Sequence, residues 1–393
     1  MDKTITKLAV VGAGTMGTAI AACGARAGLD IVLLEPVTIN GIPGHVRAKE
    51  AVKMICKKGP MKGSDPKRIQ AGIICPEWEK AAEHLKDCDI VVEAVLETLE
   101  VKRSTMTEIF EAAGPETIVG TNTSNISIAD IAAEFPQDWQ RRFMGIHFFN
   151  PVRYMDLVEV IPHAENDDAT VEAVMTFLND VYGKTAIKCK DQPGFIANRI
   201  GSMALTAAMN ATIDFGYSFP KADALTGDLI FRPKQGAFKL MDMVGLDVCQ
   251  HTVKYMSTAA IPDYEKPFRN EPAALADIVS RGYLGDKTKS GFYKKAKGQK
   301  AVWDRETCEY VPYQREKIAS IAGLKGVDRL KAMLFTDLPE SAFVKKVLID
   351  PLWLAMMACD DISYVFADID KAMRGGYSWV KGPFEIIDTI GAA

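Results

Sequence analysis

Short apolar runs and stretches of helical period alternate through the first half of this chain. Leu8-Ala-Val-Val, Ile31-Val-Leu-Leu, Ile90-Val-Val and Thr117-Ile-Val-Gly are strand-length runs rich in β-branched residues. Between them, alanine-rich residues 19–27 stop at Gly28, and a helical stretch over 99–113 stops at Gly114-Pro115. Such alternation predicts βαβ units and a parallel sheet. Residues 143–149, 157–161 and 185–189 complete that sheet, with a covering helix over 171–182. The α/β domain is expected to end near Asp191. From Gln192 the pattern turns helical, and Pro193-Gly-Phe195-Ile-Ala-Asn198-Arg199 is read as opening a long helix, with Pro near the first turn.

The helical half repeats itself. Lys234-Gln-Gly236-Ala-Phe238-Lys-Leu-Met-Asp242-Met-Val-Gly245 returns as Val380-Lys-Gly382-Pro-Phe384-Glu-Ile-Ile-Asp388-Thr-Ile-Gly391. Upstream, Phe195-Ile-Ala-Asn198 is matched to Phe343-Val-Lys-Lys346, so the second copy keeps packing residues and loses Asn198. The expected division is an α/β domain over 1–191, a first helical copy over 192–295, a connecting segment over 296–340 and a degenerate, truncated second copy over 341–393. The fold class expected is therefore α/β followed by an all-α region of two repeated helical domains.

Composition narrows the setting. With 393 residues and 48% hydrophobic content there is ample core, and a net charge of −4 gives no overall basic character for nucleic acid. The eight cysteines (23, 56, 75, 88, 189, 249, 308, 359) show no metal-ligand spacing and read as reduced core thiols. No apolar run reaches membrane-span length, and strand residues begin at Lys7, so neither a membrane segment nor a signal peptide is expected. The expected location is cytoplasmic.

Chemistry begins at Gly12-Ala13-Gly14-Thr15-Met16-Gly17, lying between a strand and a helix, with Glu35 placed 18 positions later at the end of the next strand. In this Rossmann-type context Gly12 makes the tight turn, Gly14 admits a pyrophosphate and Gly17 lets helix and strand pack closely. The helix N-terminus faces the phosphates. Glu35 would accept from the adenosine ribose hydroxyls and repel a 2′-phosphate, favouring NAD over NADP. Residues 45–68 place eight Lys/Arg, Lys58 and Lys62 among them, against Glu50 and Asp65. This arm reads either as a partner for a polyphosphate such as coenzyme A or as a solvated helix face.

Thr121-Asn-Thr-Ser124-Asn is a polar loop at the C-terminal end of a parallel strand, where ligands bind in open sheets. Ser124 is either a substrate contact or the cap of the helix near Ile126. In His147-Phe-Phe-Asn150-Pro-Val-Arg-Tyr-Met-Asp-Leu-Val-Glu159, neighbouring strands would let Glu159 meet His147 across the sheet. Such a pair serves either as a general acid/base with its orienting carboxylate or as a satisfied hydrogen bond in the core. Asn198 is polar at the start of a buried helix, and pattern alone leaves a structural and a cleft role equal.

GAGTMG, TNTS, HFFNP, a Glu twelve residues after that His, and PGFIANR occur in this order. With them the chain resembles the L-3-hydroxyacyl-CoA dehydrogenase family, from Lys7 to about Tyr293. The form it looks most like is the bacterial fatty-acid oxidation type with tandem C-terminal domains, often fused to an enoyl-CoA hydratase half that is absent here. The resemblance implies reversible NAD-dependent oxidation of L-3-hydroxyacyl-CoA thioesters in β-oxidation, beside a separate or fused hydratase and thiolase. It makes His147 the acid/base, Glu159 its orienting partner, and Ser124 and Asn198 contacts to substrate oxygens. It also implies that Gly12 to Gly17, Glu35, Glu97, Lys102, Asn150 and Lys287 bind the dinucleotide. The family's Lys-Thr-Gly-x-Gly-Phe is Lys287-Thr-Lys-Ser-Gly-Phe here, so that loop lacks a glycine. A metal is not expected. Single-copy members dimerise through the helical domain, so a second copy implies a monomer or weak homodimer. The competing readings are a relative acting on a free hydroxy or sugar acid, a non-catalytic NAD-binding protein, and a fragment whose partners lie elsewhere.

Overall fold

β1 (Lys7–Val11) and β2 (Asp30–Leu34) pair in parallel, with Leu8 opposite Ile31 and Val11 opposite Leu34. Such strands, buried on both faces, need the continuous apolar runs seen here. In the computed structural model, which describes residues 5–57, 65–296 and 298–391, they lie in a first unit running to Phe195 that also takes in Ile362–Tyr364. The second unit comprises Ile196–Asp361 and the residues from Val365 onward.

The first unit is built on one eight-stranded sheet, in which β3 (Ile73–Ile74), β2, β1, β4 (Ile90–Glu93), β5 (Ile118–Thr121), β6 (Phe143–Phe148), β7 (Leu157–Pro162) and β8 (Thr185–Lys188) follow one another. After β1, helix α1 (Thr15–Ala27) leads to β2. Then come α2 (Gly44–Lys57), α3 (Pro66–Ala71), β3 (Ile73–Ile74), α4 (Ala81–Leu85), β4 (Ile90–Glu93), α5 (Leu99–Ala112) and β5 (Ile118–Thr121). The unit continues through α6 (Ile128–Ala132), α7 (Gln137–Gln140), β6 (Phe143–Phe148), β7 (Leu157–Pro162), α8 (Asp168–Thr176) and β8 (Thr185–Lys188). β7 runs antiparallel to β6, and β8 runs parallel to β7. This compact unit runs to Phe195, and Ser363 bridges Cys189 within it.

The glycine-rich turn is fixed by close contact. Gly12 adopts φ +105° and donates to the Leu34 carbonyl at 2.7 Å. A Cβ on Gly17 would stand 1.8 Å from the Gly12 carbonyl oxygen, so α1 sits against β1 at glycine distance. Helices α2 and α3, which follow β2, pack on α1. Helix α2 buries Ala48, Val52 and Cys56 and leaves Lys49, Lys53 and Lys57 exposed, the geometry of a solvated basic face. Lys58 and Lys62 of the basic arm lie outside the described residues.

The second unit centres on α9 (Ala197–Asp214). Pro193 does not start this helix. Gly194 and Phe195 have φ of +74° and +46°, which helical backbone excludes, so helical geometry begins only at Ala197. There follow α10 (Phe219–Thr226), α11 (Ala237–Val244), α12 (Leu246–Thr258) and α13 (Ala273–Ser280). The second unit is not all helical: β9 (Tyr293–Ala296), β10 (Gln299–Asp304) and β11 (Glu309–Pro312) form an antiparallel sheet that starts at the end of the expected first helical copy and runs into the expected connecting segment. Its lysine-rich sequence hides strands that bury little beyond Tyr293, Val302 and Trp303. Cys308, in the β10–β11 turn, is exposed and Cys359 is half-buried, so neither is a core thiol.

The unit closes with α14 (Val327–Phe335), α15 (Ser341–Met357), α16 (Cys359–Ile362, whose last residue belongs to the first unit), α17 (Phe366–Tyr377) and α18 (Pro383–Ile390). Helices α15 and α17 pack on α9. The repeated sequence has a repeated contact. Asp223 on α10 accepts the Phe238 amide at the start of α11, and Asp370 on α17 accepts the Phe384 amide at the start of α18. A Cβ on Gly236 or Gly382 would strike the Cα of the respective aspartate. The upstream match does not hold, since Phe195 precedes its helix at positive φ whereas Phe343 lies inside α15. No described helix is long and apolar enough to cross a membrane.

Substituting Gly17→Ala should cost about 1–3 kcal/mol of unfolding free energy, since the new methyl overpacks a backbone contact. A urea melt with an unchanged midpoint would show that α1 and β1 can separate.

Candidate active site

At the end of β2 the Glu35 carboxylate has a structural task before any ligand arrives. Its Oε2 accepts the Ala13 amide at 2.9 Å and its Oε1 the Val37 amide at 3.1 Å, which ties the glycine loop to β2. The Arg47 guanidinium lies 3.7 Å from Oε1. A carboxylate has about four acceptor positions, so capacity remains for ribose hydroxyls. Gly14 caps α1, and a Cβ there would meet nothing within 4 Å, leaving the helix N-terminus open to a phosphate. Thr15, Met16 and Gly17 form the first turn. These residues fit the pyrophosphate and ribose of a dinucleotide.

A second layer of charge holds the loop after β5. Glu93 ends β4 with its carboxylate bonded to Lys102 Nζ at 2.9 and 3.1 Å, to the Thr121 hydroxyl at 2.6 Å and to the Val95 amide at 2.6 Å. Lys102 is 1% exposed and also meets Glu97 at 3.1 Å. Glu97 Oε1 accepts the Thr123 hydroxyl at 2.6 Å and the Ser124 amide at 2.7 Å. Burial alone would raise the Glu97 carboxyl. The Lys102 ammonium, the Thr123 hydroxyl and the Ser124 amide outweigh it and hold this group below the usual carboxylate range. Burial likewise works against the Lys102 ammonium, but Glu93 and Glu97 hold it above the usual lysine range. Glu97 and Lys102 thus fix the backbone that presents Ser124. Ser124 does not cap α6. Ser127 does, with its hydroxyl anchored to Asp191, which also accepts the Ile128 and Ala129 amides.

The antiparallel register of β6 and β7 sets His147 directly opposite Glu159. Nδ1 lies 2.8 Å from Glu159 Oε2, with the two residues 3% and 0% exposed. That bond fixes the ring orientation and leaves Nε2 as the nitrogen not engaged by Glu159. Phe149 and Phe195 flank the imidazole at ring-centroid distances of 4.4 and 5.7 Å. Phe195 is buried at positive φ, a conformation costing of order 1–3 kcal/mol for such a residue. The loop is tied to the same strand, because Asn122 Oδ1 accepts the Phe148 amide at 2.8 Å. Asn150, exposed, precedes a cis peptide to Pro151.

Asn198 and Lys287 belong to the second unit. Asn198 is half-buried on the first turn of α9 and accepts the Tyr377 hydroxyl at 3.1 Å. Lys287 pairs with Asp247 on α12. Lys289, standing where the resembled pattern has glycine, adopts φ +59°. The adjoining Gly291-Phe292-Tyr293 packs on Asp242, whose carboxylate accepts both the Phe292 and Tyr293 amides at 2.8 Å. Sequence reasoning passed over Glu93, Asn122, Asp191 and Tyr377. Of these, Glu93 carried a signal: an acid ending an otherwise apolar parallel strand.

Lys102→Met should destabilise the fold by about 3–5 kcal/mol, because two carboxylates would lose their buried counter-ion. The depressed Glu97 carboxyl contributes stability above the ordinary glutamate value of about 4.3, lost as pH falls through its lower folded value. Urea melts between pH 3 and 6 should therefore show a shallower acid limb in the variant; identical limbs would remove the linkage.

The chain matches the family description "3-hydroxyacyl-CoA dehydrogenase, NAD binding domain" over residues 7–192 and "3-hydroxyacyl-CoA dehydrogenase, C-terminal domain" over 194–295. It is 33% identical to a probable 3-hydroxyacyl-CoA dehydrogenase of Bacillus subtilis (strain 168), covering 100% of this chain and 52% of that one. It is 30% identical to a putative fatty acid oxidation complex trifunctional enzyme of Rickettsia prowazekii (strain Madrid E), covering 98% and 53%. The chain thus spans about half the length of these curated relatives. The crystal structure of a 3-hydroxybutyryl-CoA dehydrogenase from Escherichia coli K12 shares its fold, with a TM-score of 0.76 and 24% identity over 99% of this chain and 92% of that one. With both family domains present in order, this chain belongs to the 3-hydroxyacyl-CoA dehydrogenase family.

Proposed function

We propose that this chain catalyses the reversible NAD-dependent oxidation of L-3-hydroxyacyl-CoA to 3-oxoacyl-CoA. The observation that carries the reading is the buried His147–Glu159 pair beside a loop tied to the same strand. When bound, NAD supplies the hydride acceptor. His147 Nε2 takes the proton of the 3-hydroxyl during oxidation and returns it in reduction, and Glu159 stabilises the imidazolium between those events. Ser124, its backbone held by Glu97, offers its hydroxyl to the same substrate oxygen. Asn198 is a further contact to substrate oxygens. Glu35, anionic at the end of β2, disfavours a 2′-phosphate and so selects NAD over NADP. Lys102 and Glu97 serve the dinucleotide by fixing the loop, with Asn150 and Lys287 as further contacts.

The coenzyme A handle supplies binding energy that positions a small reacting carbon. A 3-hydroxyacyl thioester arises by hydration of a 2-enoyl thioester, and its 3-oxo product is consumed by thiolytic cleavage. Hydratase and thiolase activities are therefore the expected partners, and the Rickettsia relative is named a putative fatty acid oxidation complex trifunctional enzyme. We place the protein in fatty-acid β-oxidation and in the cytoplasm.

We also read residues 341–391 as a degenerate second helical copy. Its α15 and α17 cover α9 within the chain, and Arg232 bonds the Val347 carbonyl at 3.0 Å while lying 4.6 Å from the Trp379 ring centroid. An intramolecular partner of this kind should leave the protein a monomer or weak dimer. Light scattering showing a tight dimer at nanomolar concentration would count against it.

The decisive assay follows NADH oxidation with acetoacetyl-CoA and with free acetoacetate. Turnover is expected on the thioester alone, with kcat falling by about 10²–10⁴ in His147→Ala. Equal turnover of free acetoacetate would mark a hydroxy-acid enzyme. No turnover despite NADH binding would mark a binding protein.

A further inference from the structure

Asn198 receives its hydrogen bond from a residue 179 positions further along the chain. Tyr377, the last residue of α17, donates its hydroxyl to Asn198 Oδ1 at 3.1 Å. The phenol end of the ring rests on Gly201, one turn further along α9, where a Cβ would stand 2.1 Å from Tyr377 Cζ. The ring can occupy this position because residue 201 has no side chain.

Tyr377 is carried by a fixed scaffold. Helix α17 packs on α9, and its Asp370 caps α18 through the Phe384 amide at 2.9 Å. Just past the helix, Trp379 is buried with the Arg232 guanidinium over its ring, and the Val380 amide donates to the Phe231 carbonyl at 2.7 Å. The hydroxyl therefore reaches Asn198 from a direction set on both sides of Tyr377.

A primary carboxamide has an acceptor end and a donor end, and it functions differently according to which end faces the ligand. We propose that Tyr377 is a positioning residue which locks the Asn198 carboxamide with Oδ1 turned toward the phenol and its Nδ2 donors offered to a substrate oxygen. This deepens the function proposed above and rests on its assignment of Asn198 to the substrate. The group so recognised is a hydrogen-bond acceptor, a thioester or 3-oxo carbonyl oxygen. Stabilisation is greatest as negative charge develops on such an oxygen in the transition state. In the absence of the phenol the amide is free to rotate about its last torsion and present the wrong end. The closing helices of the chain thereby act on the substrate through α9, beyond covering it.

The test uses the full chain with acetoacetyl-CoA and NADH, and compares wild type, Tyr377→Phe, Asn198→Ala and the double variant. Tyr377→Phe keeps the ring on Gly201 and removes the phenol's hydrogen bond to Asn198. Its kcat should fall about five- to tenfold, as expected for one such bond, with NADH affinity unchanged. In the Asn198→Ala background the same substitution should have less than a twofold effect, because the group it orients is gone. An equal loss in both backgrounds would make Tyr377 a structural residue and overturn the proposal. So would an unchanged kcat in Tyr377→Phe while Asn198→Ala is severely impaired, an outcome that leaves the proposed function standing. If Asn198→Ala itself turns over normally, the assignment of Asn198 to the substrate fails, and the inference falls with it.

Discussion

The structure of the first unit depends on the register between β6 and β7. In antiparallel pairing, side chains directly opposite each other share a face, and the Met144–Pro162 to Phe148–Val158 alignment places His147 against Glu159. A slip of one residue would send the carboxylate to the other face and leave a buried acid and a buried imidazole without each other. The cost of either unpaired group in a fully enclosed setting far exceeds the difference between competing apolar packings. The polar pair therefore acts as a registry device for the two strands.

Around that pair the unit uses buried charge to hold backbone. Glu93 and Glu97 share one ammonium, and between them they accept the Val95, Ser124 and Asn125 amides and the Thr121 and Thr123 hydroxyls. The loop after β5 thus owes its shape to strand-end and helix-start residues of the preceding βαβ unit. Glu35 does the same for the glycine loop through the Ala13 amide. In both places an acid that reads as a ligand contact is first a structural acceptor, which pre-organises the donors and backbone near it.

The second unit repeats one solution and adds another. Asp223 and Asp370 each cap the helix that follows, over a glycine that permits close approach. Around α9, fully buried Arg199 is bonded to Glu265, which also pairs with Arg269; Arg269 in turn donates to the Arg199 carbonyl. A charge triad of this kind resists rearrangement, because breaking one partner strands the others. It lies immediately after Asn198 in sequence and so holds the first turn of α9 in place.

The parallel part of the sheet from β1 to β6, the glycine turn with its acid 18 positions on, and the facing of His147 and Glu159 were all legible in the sequence. Each rests on local periodicity or on short spacing along adjacent elements, which neighbouring residues dictate. The start of α9 was not legible, because Pro193 resembles a helix opening while positive φ at Gly194 and Phe195 delays it. The three-stranded sheet was hidden for want of apolar alternation in a lysine-rich stretch. That Ser124 does not cap α6, and that Glu97 holds its loop, rests on hydrogen bonds that span 26 and 27 residues. The Tyr377–Asn198 bond spans 179. Pattern along a chain fixes which face a residue takes; which distant group meets it there is decided only when helices and strands pack, since that choice minimises unpaired buried polar atoms over the whole unit.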